Sequence, residues 1–185
     1  QALEANCGGG APAEGGEGVV IDPGIGVVDE LDALLREHRL KPVAVLLTHG
    51  RLDHTFSVTP VCGARDIPAW IHPGDRELLA DPGKGMGVAT QQMFGGTLQW
   101  TEPSDIRLLD PAEPLSLAGL SFSVDLAPGH TPGSVVFEPP AALFSGAGLF
   151  EGSTGRSALP RGSRDRAREP GTRVSPPTRS ERGGS

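Results

Sequence analysis

Two histidines and an aspartate lie within six residues of one another, directly after an apolar run that predicts a buried strand. The run covers residues 43–47, and His49, Asp53 and His54 follow it. Strand ends are where layered α/β folds place their chemistry. Imidazole and carboxylate together are ligands of zinc, iron and manganese, so the spacing indicates a metal site. These residues could instead be a surface cluster without function, and their spacing alone does not distinguish such a cluster from a metal site.

A second histidine-bearing segment favours the metal interpretation. Residues 127–134 form a turn rich in proline and glycine between two runs that predict strands, and the turn carries His130. The candidate ligands from these two segments are His49, Asp53, His54 and His130.

Four segments, taken in order, carry a family resemblance. They are Ile21-Asp22-Pro23-Gly24, Thr48-His49-Gly50-Arg51-Leu52-Asp53-His54, Gly129-His130-Thr131-Pro132-Gly133-Ser134 and Phe144-Ser145-Gly146-Ala147-Gly148-Leu149-Phe150. Together they resemble the metallo-β-lactamase-fold hydrolases, in particular the branch similar to glyoxalase II (hydroxyacylglutathione hydrolase). The resemblance implies an α/β (α+β) fold, the αββα sandwich, with the site along one edge of its two sheets. It also implies a hydrolase that cleaves a small-molecule thioester by means of a metal-bound hydroxide.

The resemblance assigns a role to each candidate residue. In the family two metals share a bridging water; His49 and His130 would bind one metal, and Asp53 and His54 the other. Asp53 would also act in catalysis, accepting a hydrogen bond from the hydroxide and later passing a proton to the leaving group. Zinc is the expected metal, with iron or manganese as alternatives. Asp22 would lie near the metals, but an aspartate before Pro-Gly is typical of a residue that stabilises its own turn, which is the role we expect.

Departures from the family pattern predict weak metal binding. Arg51 stands where the family has an imidazole, and a guanidinium offers a metal no lone pair. Ala147 stands where the family has a bridging aspartate, and the family's C-terminal histidine has no counterpart. The positive charge of Arg51 could pair with Asp53 in place of a metal. We therefore expect at most one weakly held ion and no working dinuclear centre.

Three functions remain open from the sequence. The first is glyoxalase II-like thioester hydrolysis, and the second is a non-catalytic remnant or binding protein on the same fold. The third is a mononuclear iron dioxygenase of persulfides, which shares the histidine motif but uses the bridging aspartate as an iron ligand. Ala147 argues against this third function.

Composition limits the partners of the chain. Its net charge is −7, although residues 152–185 hold eight arginines against three carboxylates, so the remainder is strongly acidic. An acidic body does not favour nucleic-acid binding. Apolar runs are too short for a transmembrane helix, and no secretory signal pattern is present. The two cysteines form no motif, which favours a reducing, cytoplasmic setting. The sequence predicts no particular oligomeric state.

The chain divides into one predicted domain, residues 1–160, and a tail at residues 161–185. The tail consists mainly of Arg, Ser, Gly and Pro, and it should be disordered because it cannot bury enough apolar surface to offset chain entropy. The helix, strand and Gly-His-Gly loop that the family has in this region have no counterpart. We therefore expect an incomplete sandwich that lacks its C-terminal elements.

The first half of the domain predicts helices alternating with strands, which favours a layered α/β fold. Residues 7–12 are rich in glycine, so the edge strand that the family has there should be frayed or lost. Expected elements are a strand at 19–21, a helix at 29–40, a strand at 43–47, a helix at 55–61 interrupted at Pro60, a strand at 69–72 and a helix at 75–80. His38 is interpreted as a helix-surface residue and His72 as a capping or packing residue.

The second half predicts a loop and then strands. Residues 81–103 should form a mobile loop near the site, where Met93, Phe94 and Trp100 either face the substrate or pack on the core. Expected strands are two within 115–126 joined at Ala118-Gly119, one at 134–137 and one at 141–144.

Overall fold

Two sheets stack face to face, and helices cover the outer face of the larger one. The structure, a computed structural model, describes residues 7–87, 92, 99–138 and 149–152. Its helices and strands are, in chain order, β1 (Cys7–Gly10), β2 (Glu17–Ile21), α1 (Val28–Glu37), β3 (Lys41–Leu46), α2 (Leu52–Thr55), α3 (Val58–Arg65), β4 (Ala69–Ile71), α4 (Arg76–Ala80), β5 (Ile106–Leu108), β6 (Leu115–Leu117), β7 (Leu120–Leu126), β8 (Val135–Glu138) and β9 (Leu149–Gly152). Short 3₁₀ helices cover Pro73–Asp75 and Pro82–Gly85.

The larger sheet has the strand order β5-β4-β3-β2-β1-β9, and the smaller one has the order β6-β7-β8. Strands β2 to β5 run parallel, whereas β1 is antiparallel to both of its neighbours. All pairs of the smaller sheet are antiparallel. Because β2, β3 and β4 are parallel, their carboxyl ends meet at one edge, and the loops that follow them are brought together there.

Alternation of side chains along the central strands creates two apolar layers. Val19 and Ile21 face the smaller sheet, where they share a core with residues such as Phe122 and Phe137. Val20 points the other way and packs in a second core with α1, α3 and α4. Since successive side chains of a strand point to opposite faces, both faces of the larger sheet are buried. The expected layered α/β architecture is confirmed in the part of the chain that the structure describes.

Helix α1 ends three residues before the predicted boundary. Arg39 adopts a left-handed φ of 54°. The Leu40 N–H donates to Leu35 O, and the Arg39 N–H donates to Arg36 O. These bonds form the Schellman motif that closes a helix, here with arginine in the position usually taken by glycine.

The prediction that residues 7–12 are frayed is wrong. Cys7–Gly10 forms β1, which pairs with β2 on one side and with β9 on the other. Gly8, Gly9 and Gly10 are buried. Local preference argues against a glycine strand, but hydrogen bonding along both edges of the strand overrides it.

The prediction that Pro60 interrupts a helix is also wrong. Two short helices, α2 and α3, replace the single helix predicted at 55–61, and Pro60 is the third residue of α3. Backbone N–H groups in the first turn of a helix have no intrahelical partner, so the missing N–H of Pro60 removes no hydrogen bond from α3.

Trp100 is a packing residue in this structure. Its side chain packs against the core between the larger sheet and the helices, and Nε1–H donates to Leu79 O at 2.8 Å. Met93, Phe94 and the strand predicted at 141–144 lie outside the described residues, as does the predicted tail.

The predicted capping role of His72 is confirmed, since its Nδ1 accepts from the Gly74 N–H at the start of a 3₁₀ helix.

The turn between β6 and β7 is a place where stability can be gained. Ala118 and Gly119 form a two-residue turn in which both φ angles are positive, 52° and 69°. Turns of this kind prefer Asn-Gly, because alanine is strained in the left-handed region. We expect Ala118→Asn to raise the free energy of unfolding by about 0.5–1 kcal/mol, measured by urea denaturation. Ala112→Asn, in an exposed turn whose φ is not positive, is the control and should change little.

Candidate metal centre

The site forms where the carboxyl ends of β2 and β3 meet the turn between β7 and β8. Asp22 directly follows β2, Thr48 and His49 follow β3, and His54 lies on α2. The Val135 N–H donates to Thr48 O at 2.8 Å and ties the start of β8 to the loop after β3. This bond brings the turn with His130 against the other histidines.

Three of the four predicted ligands are brought together. The ring centroids of His49 and His54 are 4.1 Å apart, and those of His49 and His130 are 4.7 Å apart. All three rings line one cavity of about 270 Å³. His49 is therefore the central imidazole of the cluster, because its ring contacts both of the others.

Asp53, the fourth predicted ligand, lies at the border of this cluster. Its Oδ2 is 3.8 Å from His54 Nε2, and its Oδ1 is 3.8 Å from Arg51 Nε. The predicted ion pair between Arg51 and Asp53 is thus present. Both side chains are partly exposed, so solvent screens the pair and its strength is low.

Asp22 has a larger role than the sequence predicted. Thr48 donates to it twice, from its N–H at 2.8 Å and from its hydroxyl at 2.6 Å, and His54 Nδ1 lies 3.0 Å from the same carboxylate. The expectation that Asp22 mainly stabilises its own turn is wrong, because these partners lie 26 and 32 residues away. The carboxylate instead orients the histidine loop.

Hydrogen-bond direction fixes which nitrogen of His49 carries the proton. The Thr48 hydroxyl gives its only proton to Asp22, so it accepts from the neighbouring Nδ1–H of His49, 3.0 Å away. The Nε2 atom of His49 then carries a lone pair. That atom is buried and has no hydrogen-bond partner among the described residues. A buried lone pair without a donor is suited to a metal ion.

His54 is arranged in the same way. Its Nδ1–H donates to Asp22, so that in the neutral ring Nε2 carries the lone pair. The carboxylate of Asp22 thereby orients one imidazole directly and another through Thr48. Although atoms of Asp22, His49 and His54 lie within 4.8 Å of one another, Asp22 already accepts three hydrogen bonds. We therefore assign it to orientation of the ligands and not to metal binding.

Electrostatics keep the central imidazole neutral. Burial, together with the neighbouring His54, lowers the pKa of His49 to about 4. Burial also lowers the pKa of His54, but the hydrogen bond and charge of Asp22, with help from Asp53, outweigh it and the net shift is upward. His49 is thus ready to bind a cation at neutral pH. Neither cysteine offers a thiolate, because burial raises the pKa of Cys7 and of Cys62 to about 12.

Asp75 is the residue near the site that the sequence did not identify. Its carboxylate is fully buried and accepts from the Gly50 N–H, the Gly133 N–H and the Thr131 hydroxyl. The sequence placed Asp75 at the start of a helix, and nothing local reveals partners 25 to 58 residues away. Asp22 could have been found, because its segment belongs to the family resemblance.

Comparison with known proteins identifies the family. The model of the metallo-beta-lactamase superfamily matches residues 13–177. The chain belongs to the metallo-beta-lactamase superfamily. The family match extends into the segment assigned to the tail. A mixed α/β fold of metallo-beta-lactamase type and a small-molecule hydrolase family are thereby established, and the predicted resemblance is confirmed at the superfamily level.

Three relatives of this superfamily illustrate the range of similarity. An uncharacterized protein of Mycobacterium tuberculosis is 39% identical over 169 residues, which cover 87% of this chain and 75% of the relative. A hydroxyacylglutathione hydrolase of Haemophilus influenzae is 30% identical over 149 residues, covering 77% of this chain and 66% of the relative. The crystal structure of TTHA1623 in a di-iron-bound form aligns with a TM-score of 0.58 and 34% identity, covering 86% of this chain and 75% of that one.

Metal ions are typical of the superfamily, and the imidazole cluster is the candidate site for one here. The donor set fits a divalent ion, because the neutral ring of His49 presents a buried nitrogen lone pair and contacts two further imidazoles. None of the helices in the described part of the chain has the length and apolar composition of a membrane span.

The hydroxyl of Thr48 provides a test of this arrangement. Thr48→Val keeps the shape of the side chain but removes the acceptor of His49 Nδ1–H, so the imidazole is free to rotate or change tautomer. We expect zinc affinity to fall about 10–100-fold, the range typical of lost outer-shell partners. Competition with a chromophoric chelator measures it. Thr59→Val, which removes an exposed hydroxyl that bonds Thr101 O and no residue of the cluster, should leave the affinity unchanged.

Proposed function

We propose that the chain is a metal-dependent hydrolase of thioesters formed by small thiols, similar in activity to hydroxyacylglutathione hydrolase. One divalent ion would be held by His49, His54 and His130. The observation that carries the proposal is the buried Nε2 of His49, which has no partner among the described residues and belongs to a ring that contacts two other imidazoles. Zinc is the metal we favour, and the di-iron form of TTHA1623 keeps iron among the metals to be tested.

The side chains around this ion would have two roles, orientation of the imidazoles and transfer of a proton. Bound there, a divalent metal supplies Lewis-acid polarisation of a carbonyl and acidifies water. Asp22 and Thr48 hold two imidazoles in the required tautomers. Asp53 lies beside His54 and is partly exposed, so its carboxylate can take a proton from water and deliver it to the leaving thiolate.

The cavity favours a small acyl group. Its volume of about 270 Å³ is slightly below the range typical of drug-sized ligand pockets. Apolar side chains of Ala127, Val135 and Val136 form part of its wall. A short acyl chain would fill this space while the thiol part of the thioester extends into solvent.

A second candidate function is a non-catalytic binding protein on the same fold. Arg51 favours it, since its guanidinium lies 3.8 Å from the carboxylate proposed to move protons. A cation in that position competes with a metal for the Asp53 carboxylate.

Metal binding and turnover together decide between the two candidates. Protein equilibrated separately with zinc, iron(II) or manganese is assayed for metal per chain and, in parallel, for hydrolysis of S-lactoylglutathione. We expect about one ion per chain in the presence of free metal, loss of the ion on dialysis against a chelator, and slow hydrolysis that requires it.

Matched variants locate the ion. His49→Ala and His130→Ala should each abolish metal retention, whereas His38→Gln, which removes an imidazole at the end of α1, should not. Metal that binds without any turnover would favour the second candidate. Retention that is unaffected by His49→Ala would place the ion elsewhere and refute the proposed site.

A further inference from the structure

The buried carboxylate of Asp75 joins the two histidine-bearing loops of the candidate site. Its side chain is 0% exposed. Oδ2 accepts from the Gly50 N–H at 2.8 Å and from the Thr131 hydroxyl at 2.6 Å, and Oδ1 accepts from the Gly133 N–H at 2.8 Å. No ion pair to Asp75 occurs among the described residues, so these three donors are the partners that offset its burial.

The three donors flank two of the proposed ligands. Gly50 directly follows His49, whereas Thr131 and Gly133 follow His130. Among the described residues, no hydrogen bond or ion pair joins Asp75 to either imidazole. Its effect on the site must therefore pass through the backbone of the two loops.

The backbones of the two loops lie in close contact with the turn that carries Asp75. A Cβ atom added at Gly133 would lie 2.6 Å from Asp75 N and 2.8 Å from Asp75 Oδ1. One added at Gly50 would lie 2.7 Å from Leu78 Cβ and 2.8 Å from Asp75 O. Only glycine fits at these two points, because the 3₁₀ turn at Pro73–Asp75 is in direct contact with both loops.

The hydroxyls of Thr131 and Ser134 continue the hydrogen-bond network of Asp75 into the turn that carries His130. Because the Thr131 hydroxyl donates to Asp75, it accepts from the Ser134 hydroxyl 2.7 Å away. Ser134 in turn accepts from the Thr131 N–H at 3.0 Å. The turn that carries His130 is thus closed on itself and attached to Asp75 by the same side chain.

We propose that Asp75 is a positioning residue that holds the His49 loop and the His130 turn at one fixed separation, and so sets the spacing of the metal ligands. The inference rests on the proposed function in one respect, namely that these imidazoles bind a metal. The attachment of the two loops to Asp75 can be tested without any metal. Removal of the carboxylate frees both loops and lets the imidazoles move apart.

The experiment compares Asp75→Asn and Thr131→Val with the natural protein. The amide of asparagine cannot accept at one of its two positions, so at least one of the three donors loses its partner. Well below the melting temperature, Asp75→Asn should speed hydrogen exchange of the Gly50 amide, the Gly133 amide or both by about tenfold or more, and Thr131→Val, which removes one bond between the His130 turn and Asp75, should speed exchange of the Gly133 amide. Zinc affinity should fall about tenfold or more in both variants, and Thr131→Ser, which keeps the hydroxyl, should restore it.

A matched control separates positioning from general destabilisation. Trp100→Phe removes a hydrogen bond to Leu79 O in the same part of the fold but away from the histidines. It should lower the melting temperature and leave zinc affinity and both glycine amides within about twofold of the natural protein. If Asp75→Asn does not fold, Thr131→Val carries the same comparison.

The outcomes are distinguishable. Unchanged exchange at both glycine amides in Asp75→Asn and Thr131→Val overturns the positioning role. Zinc affinity that changes no more than in Trp100→Phe overturns it as well. If the natural protein binds no metal, the proposed function fails, whereas the exchange data still decide whether Asp75 holds the two loops.

Discussion

Replacing Arg51 by histidine and Ala147 by aspartate in one protein is expected to raise metal affinity more than 100-fold. The first change supplies an imidazole and removes a cation that now lies 3.8 Å from Asp53. The second supplies the bridging carboxylate that the family resemblance assigns to position 147, which lies outside the described residues. Loss of an outer-shell partner already changes metal affinity by about 10–100-fold, so two added ligands should exceed that range.

The two substitutions should act together and not independently. Each alone leaves the site short of a ligand, so the effect of the pair should exceed the sum of the single effects in free energy. Elemental analysis after dialysis measures retained metal, and hydrolysis of S-lactoylglutathione is followed in parallel. Arg51→Gln is the control that removes the charge without adding a ligand, and it should produce only a small gain. Full metal retention and turnover by the unaltered chain would show that Arg51 is not inhibitory.

Asp22→Ala should destabilise the protein by about 3 kcal/mol or more, because it leaves the Thr48 N–H, the Thr48 hydroxyl and His54 Nδ1 without their acceptor. This loss corresponds to a fall in melting temperature of roughly 6–12 °C for a chain of this size. Asp22→Asn keeps one acceptor oxygen and should cost less. Urea denaturation and thermal melting measure both variants.

The matched control for Asp22 is an exposed aspartate that also bonds a backbone amide. The Asp110 carboxylate accepts from the Ala112 N–H at 2.9 Å in a surface turn, and Asp110→Ala should cost less than about 1 kcal/mol. Equal losses of stability in Asp22→Ala and Asp110→Ala would mean that neither the burial of Asp22 nor its three hydrogen-bond donors add to its contribution.

Sequence reasoning succeeded where the information is local. Side chains alternate in β7, whereas β2 and β3 contain continuous apolar runs; both patterns are local, and each predicted a strand close to its observed position. The histidines were found because their spacing after a strand end is itself a local pattern. Their convergence with His130 followed from the family resemblance and was not available from spacing alone.

Sequence reasoning failed where contacts between residues distant along the chain decide the structure. Local preference argued against β1, which owes its existence to β2 and β9. Asp75 resembles many aspartates at helix starts, and only the folded chain reveals that Gly50, Thr131 and Gly133 converge on it. Pro60 was misinterpreted because the position of proline within a helix depends on where that helix begins.

The glycine strand β1 also dictates an order of assembly. Strands β2 to β5 pair with partners that follow one another along the chain, whereas Cys7 lies opposite Gly152. While the chain is being synthesised, β1 can pair with β2, but its other edge stays open until β9 emerges. Non-local pairings of this length slow folding, and an open strand edge can recruit a second chain. We therefore expect the refolding yield to fall strongly as protein concentration rises, because chains associate before β9 has paired with β1.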